Sequence, residues 1–365
     1  YLREVLELKQ GARVAVQMPN CLAYPIVAFG ILKAGCILVN TNPLYTAPEM
    51  AYQFSDSGAE ALVVIDMFAD RLDEVLAKTQ IKNVVTVKIS EFFPPVIAGV
   101  IRGVQRYWSR TLPKINVQHT WFQDALAEGK KRKNSANLES YLNGVTPDSI
   151  AALQYTGGTT GVSKGAMLSH SNLVTNTLQM ISMCGSFMRP GKEVVLTALP
   201  LYHIFSLTVN CLLMMKLGGL NVLITNPRDI PGFIKELKKY KVTAMTGVNT
   251  LFNALLNHPE FKTVDFSTWR LALGGGMAVQ KAVAEKWKQV TGTPLIEAYG
   301  LTETSPAACI NPLDLKEYNG TIGVPVPSTE IELRDNDGKP VARGEAGELC
   351  IRGPQVMKGY WNRPD

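Results

Sequence analysis

Residues Tyr155 to His170 read YTGGTTGVSKGAMLSH, a stretch that crowds glycines, hydroxyls and a lysine together. Gly157, Gly158 and Gly161 free the backbone for positive φ angles and for close approach to an anion. Thr156, Thr159, Thr160 and Ser163 each carry a hydroxyl able to donate to a phosphate oxygen, and Lys164 adds a compact charge with three donors. The chemistry suggested is phosphate handling. The Walker pattern requires Gly directly before Lys, whereas Ser163 stands there, and no G-x-G-x-x-G occurs in the chain. A flexible surface loop rich in small residues is the plainer explanation of the same composition.

Three further stretches hold residues that could join such chemistry: LPLYHIFSL at 199–207 with His203, GGGM at 274–277 after an apolar run, and YGLTETSP at 299–306 with Glu303. Taken singly, each has a plain alternative. His203 would be a histidine at the edge of a core, the glycines a tight strand-to-loop turn, and Glu303 a solvated carboxylate near a strand end.

The order of these stretches, closed by GELCIRGPQVMKGYWNRPD at 347–365, resembles the adenylate-forming superfamily of acyl-CoA synthetases and luciferases. Within it, NPLYT at 42–46, TNPRDIPG at 225–232 and GVNTLFNALLN at 247–257 resemble bacterial long-chain fatty-acid-CoA ligases. The resemblance implies ATP, Mg2+ and coenzyme A as cofactor and co-substrates, with a fatty acid as the acid to be activated. It implies that Thr156, Gly157, Gly158, Thr159, Thr160, Gly161 and Lys164 grip the β- and γ-phosphates. Thr302 would donate to the α-phosphate, Glu303 would hold Mg2+, and His203 would lie beside the substrate carboxylate. Adenine would slide against Gly274, Gly275 and Gly276, with Tyr299 and Gly300 beside it, and Val248, Thr250, Leu251 and Phe252 would line an acyl tunnel. Each of these apolar residues is equally an ordinary core residue. A ligase for a medium-chain or aryl acid, or a non-catalytic acyl- or nucleotide-binding module, is the alternative. The resemblance further implies that this stretch ends before the ribose-binding aspartate, the hinge and a small C-terminal domain with the adenylation lysine, so deficient adenylation by the chain alone is expected.

These residues need a scaffold that presents loops side by side. Of the 365 residues, 46% are hydrophobic and 19% charged, enough for a large core and two or three structural units. From Arg13, short β-rich runs alternate with helical ones: ARVAVQM, YPIVAFGILKAG, CILVN, APEMAYQFSDSG, EALVVI, FADRLDEVLAKT and NVVTVKI. Apolar strands separated by helix-length crossovers specify a parallel sheet covered on both faces. A second α/β series runs through NVLI, KVTAMTG, NTLFNALLNHP, RLALGGG, VQKAVAEKWKQVTG and TPLIEAYG. From Gly320, TEIELRD and GELCIRG have the texture of short antiparallel strands. The expected fold is α/β: two doubly wound subdomains, 1–185 and 186–315, followed by the start of a small β-barrel at 316–365.

An insertion near 90–147 breaks the first series. In it Val96, Ile97, Val100, Ile101, Val104, Tyr107 and Trp108 fall on one side of a helical wheel and Arg102, Arg106 and Arg110 on the other. Two readings stay open: packing on the unit's own core, and a helix lying in a membrane interface through 96–110. GKKRKN at 129–134 reads as a solvated loop. Six scattered cysteines without C-x-x-C pairs and four dispersed histidines give a zinc site little support and read as buried thiols of a reducing compartment. A net charge of +6 without a basic face interleaved with aromatics argues against nucleic acid. No apolar run reaches membrane-spanning length. A cytoplasmic protein is expected, peripheral on the inner membrane face if the 96–110 helix meets lipid, with a homodimer as a further expectation.

Overall fold

The computed structural model describes residues 1–133, 137–157 and 162–364, and the Cα packing divides the chain into two compact units. One comprises Tyr1–His170 with Lys358–Asp365, the other Ser171–Met357.

In the first unit the strands are β1 (Arg13–Gln17), β2 (Ile37–Thr41), β3 (Ala61–Ile65), β4 (Asn83–Val87), β5 (Thr120–Trp121), β6 (Ile150–Tyr155) and β7 (Gly165–Ser169). Their order in the sheet is β5-β4-β3-β1-β2-β6-β7. All neighbours are parallel except β6 and β7, which form an antiparallel pair. Every residue of β2 and β3 is buried, which is why these strands read as unbroken apolar runs rather than alternating ones. The crossovers are α1 (Ala23–Lys33), α2 (Ala47–Ser57), α3 (Leu72–Leu76), α4 (Pro95–Gly103) and α5 (Phe122–Lys131). A capping box starts α2, with the Glu49 carboxylate accepting from the Thr46 N–H at 2.7 Å, and Gly58 ends it in the left-handed conformation. Where a helix was expected over FADRLDEVLAKT, a 3-10 turn at Asp66–Arg71 leads into the short α3.

The insertion behaves in two ways. Its second half is integrated, since β5 pairs with β4 and α5 buries Phe122 and Ala125. Its first half is not: α4 buries no residue at all. The apolar row of the 96–110 segment is therefore not what packs on its own core; the contact with the unit runs through Arg102 and the buried Gln105. Gly129–Lys131 form the last turn of α5 rather than a loop, and Lys130 and Lys131 there complement the helix dipole.

Helix α6 (His170–Cys184) follows β7 and buries Met180 and Cys184 in the core of the second unit. The Cα packing places the division at the first residue of this helix, between His170 and Ser171. The second unit continues with β8 (Val194–Thr197), α7 (Ile204–Ser206), α8 (Leu213–Leu217), β9 (Leu220–Leu223), α9 (Ile230–Lys239), β10 (Ala244–Gly247), α10 (Asn249–Leu256), β11 (Leu271–Gly274), α11 (Lys281–Thr291), β12 (Leu295–Gly300), β13 (Ala307–Ile310) and β14 (Val324–Pro325). Its sheet runs β14-β13-β12-β11-β10-β8-β9, parallel from β9 through β12 and antiparallel at β13 and β14.

Successive residues of a strand point to opposite faces, and the two cores of this unit follow that rule. Leu196, Met245, Ala272 and Leu295 join Phe233, Phe252 and Trp287 on one face. Val195, Ala244, Leu271 and Ile296 join Met180, Val209 and Leu213 on the other. The expected β-barrel start is a separate antiparallel pair, β15 (Glu330–Arg334) with β16 (Glu348–Arg352).

Four of the six cysteines, Cys36, Cys184, Cys211 and Cys309, are buried. Burial pushes the Cys184 thiol up to about 12 and the Cys36 and Cys211 thiols to about 11, which keeps them protonated and unreactive. No helix among the described residues is long and apolar enough to cross a membrane.

Candidate active site

In the first unit the glycine-rich loop closes the β6–β7 hairpin. Its base is built tightly. Tyr155, at the end of β6, is buried and donates its hydroxyl to the Asp56 carboxylate at 2.6 Å, and burial together with Asp56 raises its pKa, so the phenol stays neutral. Gly165 faces it across the hairpin; a Cβ there would sit 3.0 Å from the Tyr155 ring. Thr156 N–H donates to the Lys164 carbonyl at 3.0 Å, and the Ser163 hydroxyl donates to the Thr156 carbonyl. The hydroxyls of Thr156 and Ser163, expected to face phosphate, donate to loop backbone in this structure. Tyr52 anchors the loop from α2 by donating to the Ser163 carbonyl at 2.8 Å. Lys164 is exposed, with its ammonium 5.2 Å from the Tyr360 ring centroid. Gly157 is exposed as well. Gly158, Thr159, Thr160 and Gly161 lie outside the described residues.

The segment 358–363 flanks this hairpin. Lys358 N–H donates to the Met167 carbonyl at 2.9 Å, Trp361 N–H donates to Gly165 at 2.7 Å, and Arg363 pairs with Asp56 at 3.2 Å. Sequence reasoning marked 347–365 as a motif but gave it no such place, because a hairpin edge and a loop two hundred residues away share no local signal.

In the second unit the remaining candidates collect at the carboxyl ends of neighbouring parallel strands. His203 follows β8, Val248 follows β10, Gly274 ends β11 with Gly275 and Gly276 just beyond, and Tyr299 and Gly300 end β12 with Thr302 and Glu303 in the next turn. This edge is where open α/β sheets bind ligands, since loops there converge without blocking helices. The backbone is shaped for it. Gly276 has φ +75°, and a Cβ on Gly300 would lie 1.9 Å from the Pro306 carbonyl oxygen, so only glycine fits. His203 Nδ1 accepts from the Phe205 N–H at 3.3 Å, leaving Nε2 as the protonated, donating nitrogen. Although the ring reaches solvent, crowding by surrounding protein lowers its pKa, which favours the neutral form.

The four expected tunnel residues separate. Phe252 is fully buried and packs edge-on against Trp287 at 4.8 Å, and Leu251 belongs to the same core. Val248 is half-buried and Thr250 exposed. Val248 precedes α10 in extended backbone, Thr250 lies on the outer side of its first turn, and Leu251 and Phe252 on the side turned to the core.

The turn that carries Thr302 and Glu303 is held by groups that no sequence motif marked. Asn176 of α6 both donates to the Ala307 carbonyl at 2.9 Å and accepts from the Ala307 N–H at 3.0 Å. Thr208 donates to the Ser305 carbonyl at 2.7 Å, Ser305 donates to the Gln355 carbonyl at 2.9 Å, and Met357 N–H donates to the Glu303 carbonyl at 2.8 Å. Among the described residues no group of three or more His, Cys, Asp or Glu stands ready to hold a metal ion. One carboxylate from Glu303 suits Mg2+, which takes one or two carboxylates and fills its shell with water and substrate phosphates.

This fold has a solved counterpart. It aligns with a TM-score of 0.80 on the crystal structure of the anthranilate CoA ligase AuaEII in complex with anthranoyl-AMP, at 21% identity, over 99% of this chain and 63% of that one. The chain belongs to the AMP-binding enzyme family, whose model matches residues 1–361. It is 52% identical over 365 residues to the long-chain-fatty-acid–CoA ligase of Salmonella typhimurium and 48% identical over 369 residues to that of Haemophilus influenzae. Both matches cover the whole of this chain, which spans 64% of the length of each relative.

Proposed function

We propose that the protein carrying this chain is a long-chain fatty-acid–CoA ligase, which joins a fatty acid to ATP as acyl-AMP and then to coenzyme A. The observation that carries the reading is the gathering of His203, Gly274–Gly276 and Tyr299–Glu303 at the carboxyl ends of β8, β11 and β12. The names of the relatives at about half identity support the acyl substrate.

A fatty carboxylate is ionised near neutral pH, so its activation needs alignment and charge neutralisation rather than a strong base. A carboxylate oxygen forms the new bond to the α-phosphorus, the bond from that phosphorus to the bridging oxygen breaks, and pyrophosphate leaves with the electron pair. The sulfur of coenzyme A then attacks the acyl carbon, AMP departs, and the thiol proton passes to solvent. Here the neutral His203 supplies a donor from Nε2 to the carboxylate or α-phosphate oxygen, and Thr302 supplies a second. Glu303 would hold Mg2+, which supplies Lewis-acid neutralisation of phosphate charge. The bare backbone at Gly274–Gly276 gives a flat ring a surface, with Tyr299 beside it. Each acyl methylene buried contributes about 0.8 kcal/mol, so an apolar slot converts chain length into affinity.

Palmitate-dependent exchange of labelled pyrophosphate into ATP tests the adenylation step in the full-length protein. Exchange is expected with palmitate, and Glu303→Ala should lower it by about 100-fold or more while leaving the unfolding midpoint intact. Equal exchange in the Glu303→Ala variant would remove the assignment of that carboxylate.

A further inference from the structure

Segment 95–108 is amphipathic in the wrong sense for a helix on a water-soluble surface. A surface helix turns its apolar stripe inward, and here the residues turned to the unit are Arg102 and Gln105 with the half-buried Ala98 and Ile101. Arg102 reaches inward to the buried Asp66 carboxylate at 2.8 Å and lies 6.0 Å from the Trp121 ring. Gln105 is the buried residue of the turn Val104–Trp108 that continues α4. The opposite side is apolar and open: Val96 is 79% exposed, Val100 62%, Tyr107 78% and Trp108 88%. Phe92 and Phe93 extend the same exposed stretch. Scattered exposed apolar residues need no explanation, but a contiguous row along one helix marks an interaction surface.

The charge around the row selects among partners. From Phe92 to Gln123 the chain holds no Asp or Glu, while Arg106, Arg110 and Lys114 follow the apolar row and are exposed. Tyr107 and Trp108 sit beside these cations, the pairing found where a helix meets the headgroup level of a bilayer. The helix is far too short to span. We infer that α4 and the turn through Trp108 dock in the plane of an anionic lipid surface, with Val96, Val100, Val104 and Trp108 entering the acyl boundary and Arg106 and Arg110 meeting lipid phosphates. The Arg102–Asp66 pair fixes the helix in that orientation, because it holds Arg102 against the protein and leaves the apolar row outward.

Vesicle flotation tests the inference on the full-length protein, with phosphatidylcholine alone and with phosphatidylglycerol added. Co-flotation with the anionic vesicles and little with the zwitterionic ones is expected. Arg106→Gln and Arg110→Gln should each weaken it by about fivefold, and the double variant Val100→Asp/Trp108→Ser should abolish it. The fluorescence difference between wild type and Trp108→Phe should shift to the blue on binding. Failure to float with either vesicle, or undiminished binding by the Val100→Asp/Trp108→Ser protein, overturns the inference. So does a dimer in gel filtration that Val100→Asp dissociates without any lipid binding, since the row would then belong to a second copy of the chain. Pyrophosphate exchange measured in detergent-free solution on the same preparations separates this outcome from failure of the ligase reading.

Discussion

At His203 two features of the structure fix a protonation state. Crowding lowers its pKa below the ordinary 6.5, and the Phe205 N–H occupies Nδ1. The unfolded chain therefore binds the extra proton more readily than the folded one. The stabilising contribution is complete above about 6.5 and is lost as pH falls through the lower folded value. His203→Gln should make stability fall less steeply on the acid side, measured as urea midpoints across a pH series; an unchanged slope would contradict the shift. His170, whose pKa burial also lowers, contributes with the same sign and persists in that variant. Glycine is the other informative residue type. A Cβ at Gly274 would meet Val279 Cγ2 at 2.8 Å, inside the core, whereas Gly276 has only Val248 within reach, at 3.8 Å. Gly274→Ala should accordingly lower stability by about 1–3 kcal/mol rather than tune chain length. Val248→Trp should shift the preferred acid to shorter chains with ATP affinity unchanged, read from exchange rates across a series of fatty acids.

Secondary-structure elements show what the chain declared in advance and what it concealed. Runs such as ALVVI at β3 were legible because a strand buried on both faces has no polar side to interrupt it. The loops at β11 and β12 were legible from glycines that the backbone requires. The orientation of α4 was not, because a helical wheel shows that two sides differ without showing which one faces the protein. That was decided by the Arg102–Asp66 pair, formed between residues 36 apart. Phe252 and Val248 were equally opaque: both are apolar and both pack on the core that holds Trp287, and only the structure shows Phe252 fully buried and Val248 half-buried. Asn176 gave no warning either, since its partner Ala307 lies 131 residues on. Removing this buried amide takes the partner of the Ala307 N–H, while the Ala307 carbonyl keeps the Gln355 amide at 3.3 Å, so Asn176→Ala should cost about 1–3 kcal/mol in chemical unfolding. If the turn after β12 depends on that clamp, pyrophosphate exchange should fall as well, and a variant that unfolds earlier yet exchanges normally would confine Asn176 to stability.

For the whole molecule, two sheets of mainly parallel strands supply the framework, and each unit carries its own share of candidate residues. The motif order along the chain was readable because each motif sits on a loop whose glycines, threonines or acid are chemically required. The acyl substrate was not readable from any single residue, since an apolar lining and an apolar core have the same composition. What distinguishes them is which acid the protein adenylates. The decisive measurement is mass-spectrometric detection of the acyl-adenylate formed by the full-length protein from an equimolar mixture of medium-chain, long-chain and aryl acids with Mg-ATP. Palmitoyl-AMP and its long-chain neighbours should dominate and should vanish with Glu303→Ala. An adenylate of the aryl or medium-chain acid in their place would contradict the long-chain ligase reading.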